Sequence, residues 1–201
     1  NWARVVGAGV GAERGFDCLP EIDDEVLVGF EHGDIHRPYV LGGVWNGKDA
    51  PPEAVSDSVV DGKVRLRTFK TRTGHHLQFI EEDKGSSKKG IEVVSVYGHR
   101  IYLNDAEKLI EVKTNRGQTL KLDDQGQKIE MSATGTIEIT APQKISLAVG
   151  GSKVELTPAS LSMQSTQIET KGTAQNLMQG AVVDIKGQAV VKVAAPALQF
   201  G

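Results

Sequence analysis

Few residues in this chain are suited to closing a compact interior. Aromatics make up 5% of its 201 residues and apolar residues 39%, low for an enzyme of this size. The single cysteine, Cys18, excludes an internal disulfide and is compatible with synthesis in a reducing cytoplasm. With no histidine near it to activate a thiolate, Cys18 reads as a small buried apolar side chain. Neither sign of charge dominates: 23 basic residues face 26 acidic ones, net −3. That balance removes any broad attraction to nucleic acid or an anionic membrane. No apolar run approaches the roughly 20 residues that span a bilayer. The start, Asn1-Trp2-Ala3-Arg4, lacks both a secretion-signal pattern and a methionine, so a piece of a longer or trimmed chain is expected.

What the chain does have is a repeat. From Leu120 to Val193 an apolar residue, a polar one and a second apolar one recur, then a short polar break. The pairs are Leu120/Leu122, Ile129/Met131, Ile137/Ile139, Ile145/Leu147, Val154/Leu156, Leu161/Met163, Ile168/Thr170, Val183/Ile185 and Val191/Val193. Their first members step by 9, 8, 8, 9, 7, 7, 15 and 8 residues, one unit being blurred near Leu177. Apolar residues two apart describe a strand, and a period near eight leaves room for one turn. Pro142, Pro158 and Pro196 fall between the pairs, where a missing ladder donor does least harm.

The rest of the chain divides around this repeat. Residues 1–52 carry several strands and Gly-rich turns and suit a small barrel lacking at least its first strand. Residues 53–63 are polar and read as a linker. Residues 64–117 hold longer strands, with the pairs Leu77/Phe79, Ile91/Val93, Ile101/Leu103 and Ile110/Val112 and a charged excursion over 81–90. They read as a collar that narrows into the regular needle of 118–201. The fold class is all-β. Eight residues cover only one side of a narrow prism, whereas a single-chain solenoid needs about 20 per coil. Three chains supply the missing faces, which predicts an intertwined homotrimer with its apolar pairs on the axis. The expected trimer core is Ile129, Ile137, Ile139, Ile145, Leu147, Val154, Leu156, Leu161, Ile185, Val191 and Val193.

Several patterns imitate chemical sites. His75-His76 suggests a metal, with His32 and His36 nearby in sequence, but adjacent residues of a strand face opposite ways. The carboxylate pairs Asp23/Asp24, Glu81/Glu82 and Asp123/Asp124 lie at turn signals and bring no third group, so they read as solvated turns. Gly7-x-Gly9-x-Gly11 would need a following helix to cradle a phosphate, and Gly15-Phe16-Asp17-Cys18-Leu19-Pro20 is no helix. No catalytic residue, cofactor or metal is expected.

Pro20-Glu21-Ile22-Asp23-Asp24-Glu25-Val26-Leu27-Val28-Gly29-Phe30-Glu31, followed by Gly33-Asp34-Ile35-His36-Arg37-Pro38-Tyr39-Val40-Leu41-Gly42, resembles the OB-fold segment of the central spikes of contractile injection machines. These are the VgrG proteins of type VI secretion, the baseplate spikes of contractile-tailed phages and the spikes of extracellular contractile particles. The wording is most similar to the last group. Thr71-Arg72-Thr73-Gly74-His75-His76-Leu77 is similar to the stretch that opens the needle in that family. Ile35 departs from it, standing where a proline is frequent.

The resemblance implies an OB-fold barrel followed by a triple-stranded β-helix in a homotrimeric, non-enzymatic, membrane-piercing spike. It would be made in the bacterial cytoplasm and assembled at the tip of a contractile particle, for delivery outside the cell or into a target. A baseplate hub and inner tube would be joined through a region preceding this chain, and the target membrane met only in passing. Nucleic acid is not an expected partner: an OB fold binds it through a basic, aromatic face, and this segment is acidic. Glu21 and Arg37 read as packing and ion-pairing residues. The apolar, aperiodic end Ala194, Ala195, Pro196, Ala197, Leu198, Gln199, Phe200 and Gly201 is the expected seat of a separate cap or effector, such as a PAAR-repeat protein. The alternatives are a receptor-binding tail-fibre stalk, which would carry a terminal knob, and a β-solenoid carbohydrate-active enzyme, which would need longer coils and a cleft.

Overall fold

A computed structural model of the chain describes residues 2–81, 89–188 and 190–192. The chain divides into two units, 1–137 and 138–201, which are taken one at a time.

In the first unit, β1 (Arg4–Val5), β2 (Val26–Phe30) and β3 (Pro38–Gly43) form a three-stranded sheet in the order β1-β3-β2. β1 runs parallel to β3 and β2 antiparallel to it, with a register shift at Leu27/Val28. Among the described residues these strands do not close into a barrel. The stretch read as a linker is structured: α1 (Val55–Ser58) runs directly into β4 (Val59–Val60), which pairs with β5 (Lys63–Val64). Arg65 anchors it, its Nε donating to the Asp57 carbonyl at 2.6 Å.

Seven strands of five residues follow. They are β6 (Leu66–Lys70), β7 (His76–Ile80), β8 (Gly90–Val94), β9 (Arg100–Asn104), β10 (Leu109–Lys113), β11 (Thr119–Asp123) and β12 (Lys128–Ser132). Each pairs antiparallel with its neighbour in sequence, giving one meander in the order β12 to β6. Three of its turns are copies of one device. Gly74 N donates to Thr71 O, Gly98 N to Ser95 O and Gly117 N to Thr114 O, at 2.8–3.1 Å. Neighbouring copies are linked, since His75 Nδ1 accepts from Val96 N at 3.3 Å and His99 Nδ1 from Asn115 N at 3.4 Å. From β7 to β11 each strand is thus paired on both sides within the chain, while β6 and β12 are edge strands paired on one side only.

The second unit holds β13 (Ile145–Val149), β14 (Ser152–Leu156) and β15 (Leu161–Gln164) as an antiparallel sheet. Ile137, Ile139, Ile168, Ile185 and Val191 lie outside strands. The expected core residue Val193 and the expected cap seat 194–201 lie outside the described residues.

Burial is sparse. Among the described residues only Ile80, Gly90, Tyr102 and Asn104 are buried. The chain exposes 17274 Å², against roughly 9,200 Å² for a folded monomer of its 21.6 kDa mass. Cys18, expected inside, is exposed, as is every residue of 8–25.

Candidate functional site

The seven-stranded sheet separates its residue types by face, because side chains alternate along each strand and antiparallel register aligns them across strands. One face carries two apolar rows. The first runs Phe69, Leu77, Val93, Ile101, Val112, Leu120, Met131. The second runs Phe79, Ile91, Leu103, Ile110, Leu122, Ile129 and begins with a charge, Arg67, held at 3.0 Å by Glu81. At about 4.8 Å per strand these rows make an apolar strip roughly 30 Å long. The strip faces outward: Ile101 is 45% exposed, Ile110 41% and Ile129 71%. An exposed apolar surface of this continuity marks an interface.

The opposite face carries the polar groups in its central row, several of them paired with one another, while the Tyr102 hydroxyl is buried with no hydrogen-bond partner among the described residues. Its central row is Thr68, Gln78, Glu92, Tyr102, Glu111, Lys121 and Glu130. Gln78 Nε2 donates to Thr68 Oγ1 at 2.9 Å and to Glu53 Oε1 at 3.1 Å. Arg100 bridges Glu92 at 2.5 Å and Glu111 at 3.3 Å, with its guanidinium 4.3 Å from the Tyr102 ring centroid. Burial pushes the Tyr102 phenol above its ordinary range, opposed by the adjacent Arg100 charge.

The second unit repeats the scheme on three strands. Ile145, Leu156 and Leu161 form one apolar row, and Leu147, Val154 and Met163 the other. The other face presents Glu155 between Lys153 and Lys144, and the Lys153 ammonium, hydrogen-bonded to it, holds that carboxyl below the usual range. Of the expected core, Ile129, Ile145, Leu147, Val154, Leu156 and Leu161 lie in these rows, whereas Ile137, Ile139, Ile185 and Val191 lie in exposed, unpaired backbone.

The first sheet is joined to the start of the meander. Phe16 meets Phe69 edge-on at 5.8 Å and Glu21 pairs with Arg72 at 2.6 Å. Glu31 gathers Arg4 and Arg37, each at 3.6 Å, while Arg4 lies over the Tyr39 ring. Asn46 closes its own turn, accepting from Lys48 N and Asp49 N at 2.7 Å and donating to Glu25 at 2.6 Å. The sequence reading missed the Arg100 network and the Arg67–Glu81 pair, although a lone arginine opening an otherwise apolar row was a visible signal. His75 and His76 serve turns: besides the contact from Val96, His76 Nδ1 lies 3.4 Å from the Gly74 carbonyl. Among the described residues no three His, Cys, Asp or Glu side chains gather as a metal-holding group.

Comparison with known proteins agrees with this picture. Residues 1–45 match the type VI secretion system/phage-baseplate injector OB domain. Over 176 residues the chain is 30% identical to the type VI secretion system spike protein VgrG1a of Pseudomonas aeruginosa, a match covering 77% of this chain and 27% of that relative. It is 25% identical over 122 residues to the actin cross-linking toxin VgrG1 of Vibrio cholerae, covering 60% of this chain and 11% of the relative. A third match, the spike protein VgrG3 of Vibrio cholerae, is 27% identical over 88 residues, 44% of this chain and 8% of the relative. The chain thus spans about a quarter or less of these relatives. An injector OB domain match at its start and likeness to spike proteins along three quarters of its length make this all-β chain similar to the VgrG spike proteins of contractile injection.

Proposed function

We propose that the chain is the piercing part of a contractile injection spike, working mechanically and without catalysis as a homotrimer. The observation that carries this reading is the exposed double apolar row on one face of the β6–β12 sheet, set against a face whose charges include the internally paired Arg100, Glu92 and Glu111. Three copies that turn their apolar faces to a common axis would bury the strip and leave the charged rows in water. Each aliphatic side chain so buried contributes roughly 1.5–3 kcal/mol, so most of the stability arises between chains. A point driven through a membrane needs lateral stiffness and a core that does not shear, and a prism with short crosswise strands supplies both. The intertwined winding read from the sequence applies to the later repeats, where residues 165–188 hold the apolar spacing but find no strand partner in their own chain.

The assembly is tested by absolute mass. Light scattering on a size-exclusion column is expected to give about 65 kDa, three times the 21.6 kDa of one chain, with resistance to SDS in an unheated gel. A stable 21.6 kDa species would overturn the trimer and bring forward a self-closing solenoid. The particle's inner tube, the target membrane and a tip protein are the proposed partners, the last seated at residues 194–201. Deleting those eight residues is expected to abolish pull-down of a PAAR-repeat cap, and unchanged capture would sink that seat.

A further inference from the structure

We infer that the two long edges of the β6–β12 sheet are complementary and join neighbouring copies, with Arg116 of one copy docking between Asp105 and Asp124 of the next. This rests on the trimer proposed above and adds what closes it and sets the direction of its chains. A meander places alternate turns on opposite edges. The first edge carries the β6–β7, β8–β9 and β10–β11 turns, and the segments 70–76, 94–100 and 113–119 that form it contain five Lys or Arg and no acid. The described turns of the second edge, in segments 104–109 and 123–128, contain four acids and two lysines.

Pairing within the chain does not use up these charges. Arg72 and Arg100 are taken by Glu21, Glu92 and Glu111, and Asp123 caps Gly126 N at 2.7 Å. Among the described residues, the exposed side chains of Lys113, Arg116, Asp105 and Asp124 make no ion pair. The unpaired charges of the first edge, among the described residues, are thus all cations, while on the second Asp105, Glu107 and Asp124 outnumber the one unpaired cation, Lys108.

The stagger of the turns gives the fit. The β10–β11 turn that carries Arg116 lies one strand, about 4.8 Å, from the level of the β9–β10 turn with Asp105 and one strand from that of the β11–β12 turn with Asp124. When the first edge of one copy faces the second edge of another at equal height, the turns interdigitate and a guanidinium lies between two carboxylates. Such a junction is head-to-tail and closes only as a ring of parallel copies. An antiparallel pair about an axis across the sheet would set first edge against first edge, cation against cation.

Two double reversals, Lys113→Glu with Arg116→Glu and Asp105→Lys with Asp124→Lys, are compared with wild type by light scattering at low salt, with circular dichroism to verify strand content. Each is expected to lower the trimer fraction at least about tenfold, with recovery in high salt as the like charges are screened. The quadruple variant, which exchanges the two edges, is expected to return to the wild-type mass. Reversals that leave the trimer fraction and its salt dependence unchanged, or a quadruple variant no better than the doubles, overturn the edge pairing while the trimer stands. A wild-type chain that is itself monomeric removes both.

Discussion

A chain carrying Ile101→Asp and Ile110→Asp is expected to elute at the 21.6 kDa of a single copy and to lose SDS resistance. The two residues lie diagonally in the middle of the apolar strip, opposite Val112 and Leu103 on adjoining strands, and are 45% and 41% exposed in one chain. Within a chain the cost is small, because a carboxylate at either position meets water. Between chains each isoleucine forfeits roughly 1.5–3 kcal/mol of burial. Six sites per trimer multiply that to roughly 9–18 kcal/mol, before the cost of bringing six carboxylates together away from water. Lys121→Ala, on the polar face between Leu120 and Leu122, is the matched control and should change stability by no more than about 0.5 kcal/mol. Sedimentation or light scattering decides the matter. An Ile101/Ile110 variant still near 65 kDa would mean that the strip faces something other than copies of itself.

Gly90→Ala is expected to weaken the sheet whatever the state of assembly. Gly90 opens β8 at φ +138°, a conformation that side chains rarely adopt, and a Cβ there would stand 1.8 Å from the Leu103 carbonyl oxygen. Both the Leu103 carbonyl and the nearby Asp105 nitrogen are backbone, so no flexible side chain can move aside. The strand can accept the methyl only by giving up its pairing with β9 near Asn104. A loss of about 3 kcal/mol or more follows, a fall in Tm of roughly 6–12 °C for a chain of this size. Gly42→Ala in β3, where an added Cβ meets nothing within 4 Å, should leave Tm nearly unchanged. Thermal melts of the two variants side by side make the comparison, and equal melting temperatures would refute the steric argument.

The strand pairs of the meander were legible because their signal is local. Leu77/Phe79, Ile91/Val93, Ile101/Leu103, Ile110/Val112, Leu120/Leu122 and Ile129/Met131 each lie in a strand, on one shared face. The same spacing at Ile137/Ile139 has no intrachain strand, since pairing needs a neighbour as well as a pattern. The polar stretch 53–63 read as linker because polarity says nothing of docking, yet the Ser58 carbonyl accepts from Arg65 N at 2.8 Å and α1 lies within the stretch. Cys18 was misjudged for a related reason: buried cysteine is the habit of chains that cover themselves, and this one leaves residues 8–25 exposed.

By itself the sequence determined the turn positions and the two apolar residues that every strand of the meander past the first presents to one side. Both depend on period-two alternation and on turn residues, which act over a few neighbours. The longer strands expected over 64–117 are instead five residues each, like those that follow. Only the tertiary structure decided that consecutive strands pair with one another, which gathers the charges 5 to 0 on one edge and 4 to 2 in the described turns 104–109 and 123–128 of the other. It alone placed Arg100 between Glu92 and Glu111. Those arrangements depend on which strand lies beside which, and residues 8 to 19 positions apart become neighbours only after the backbone ladder has been chosen.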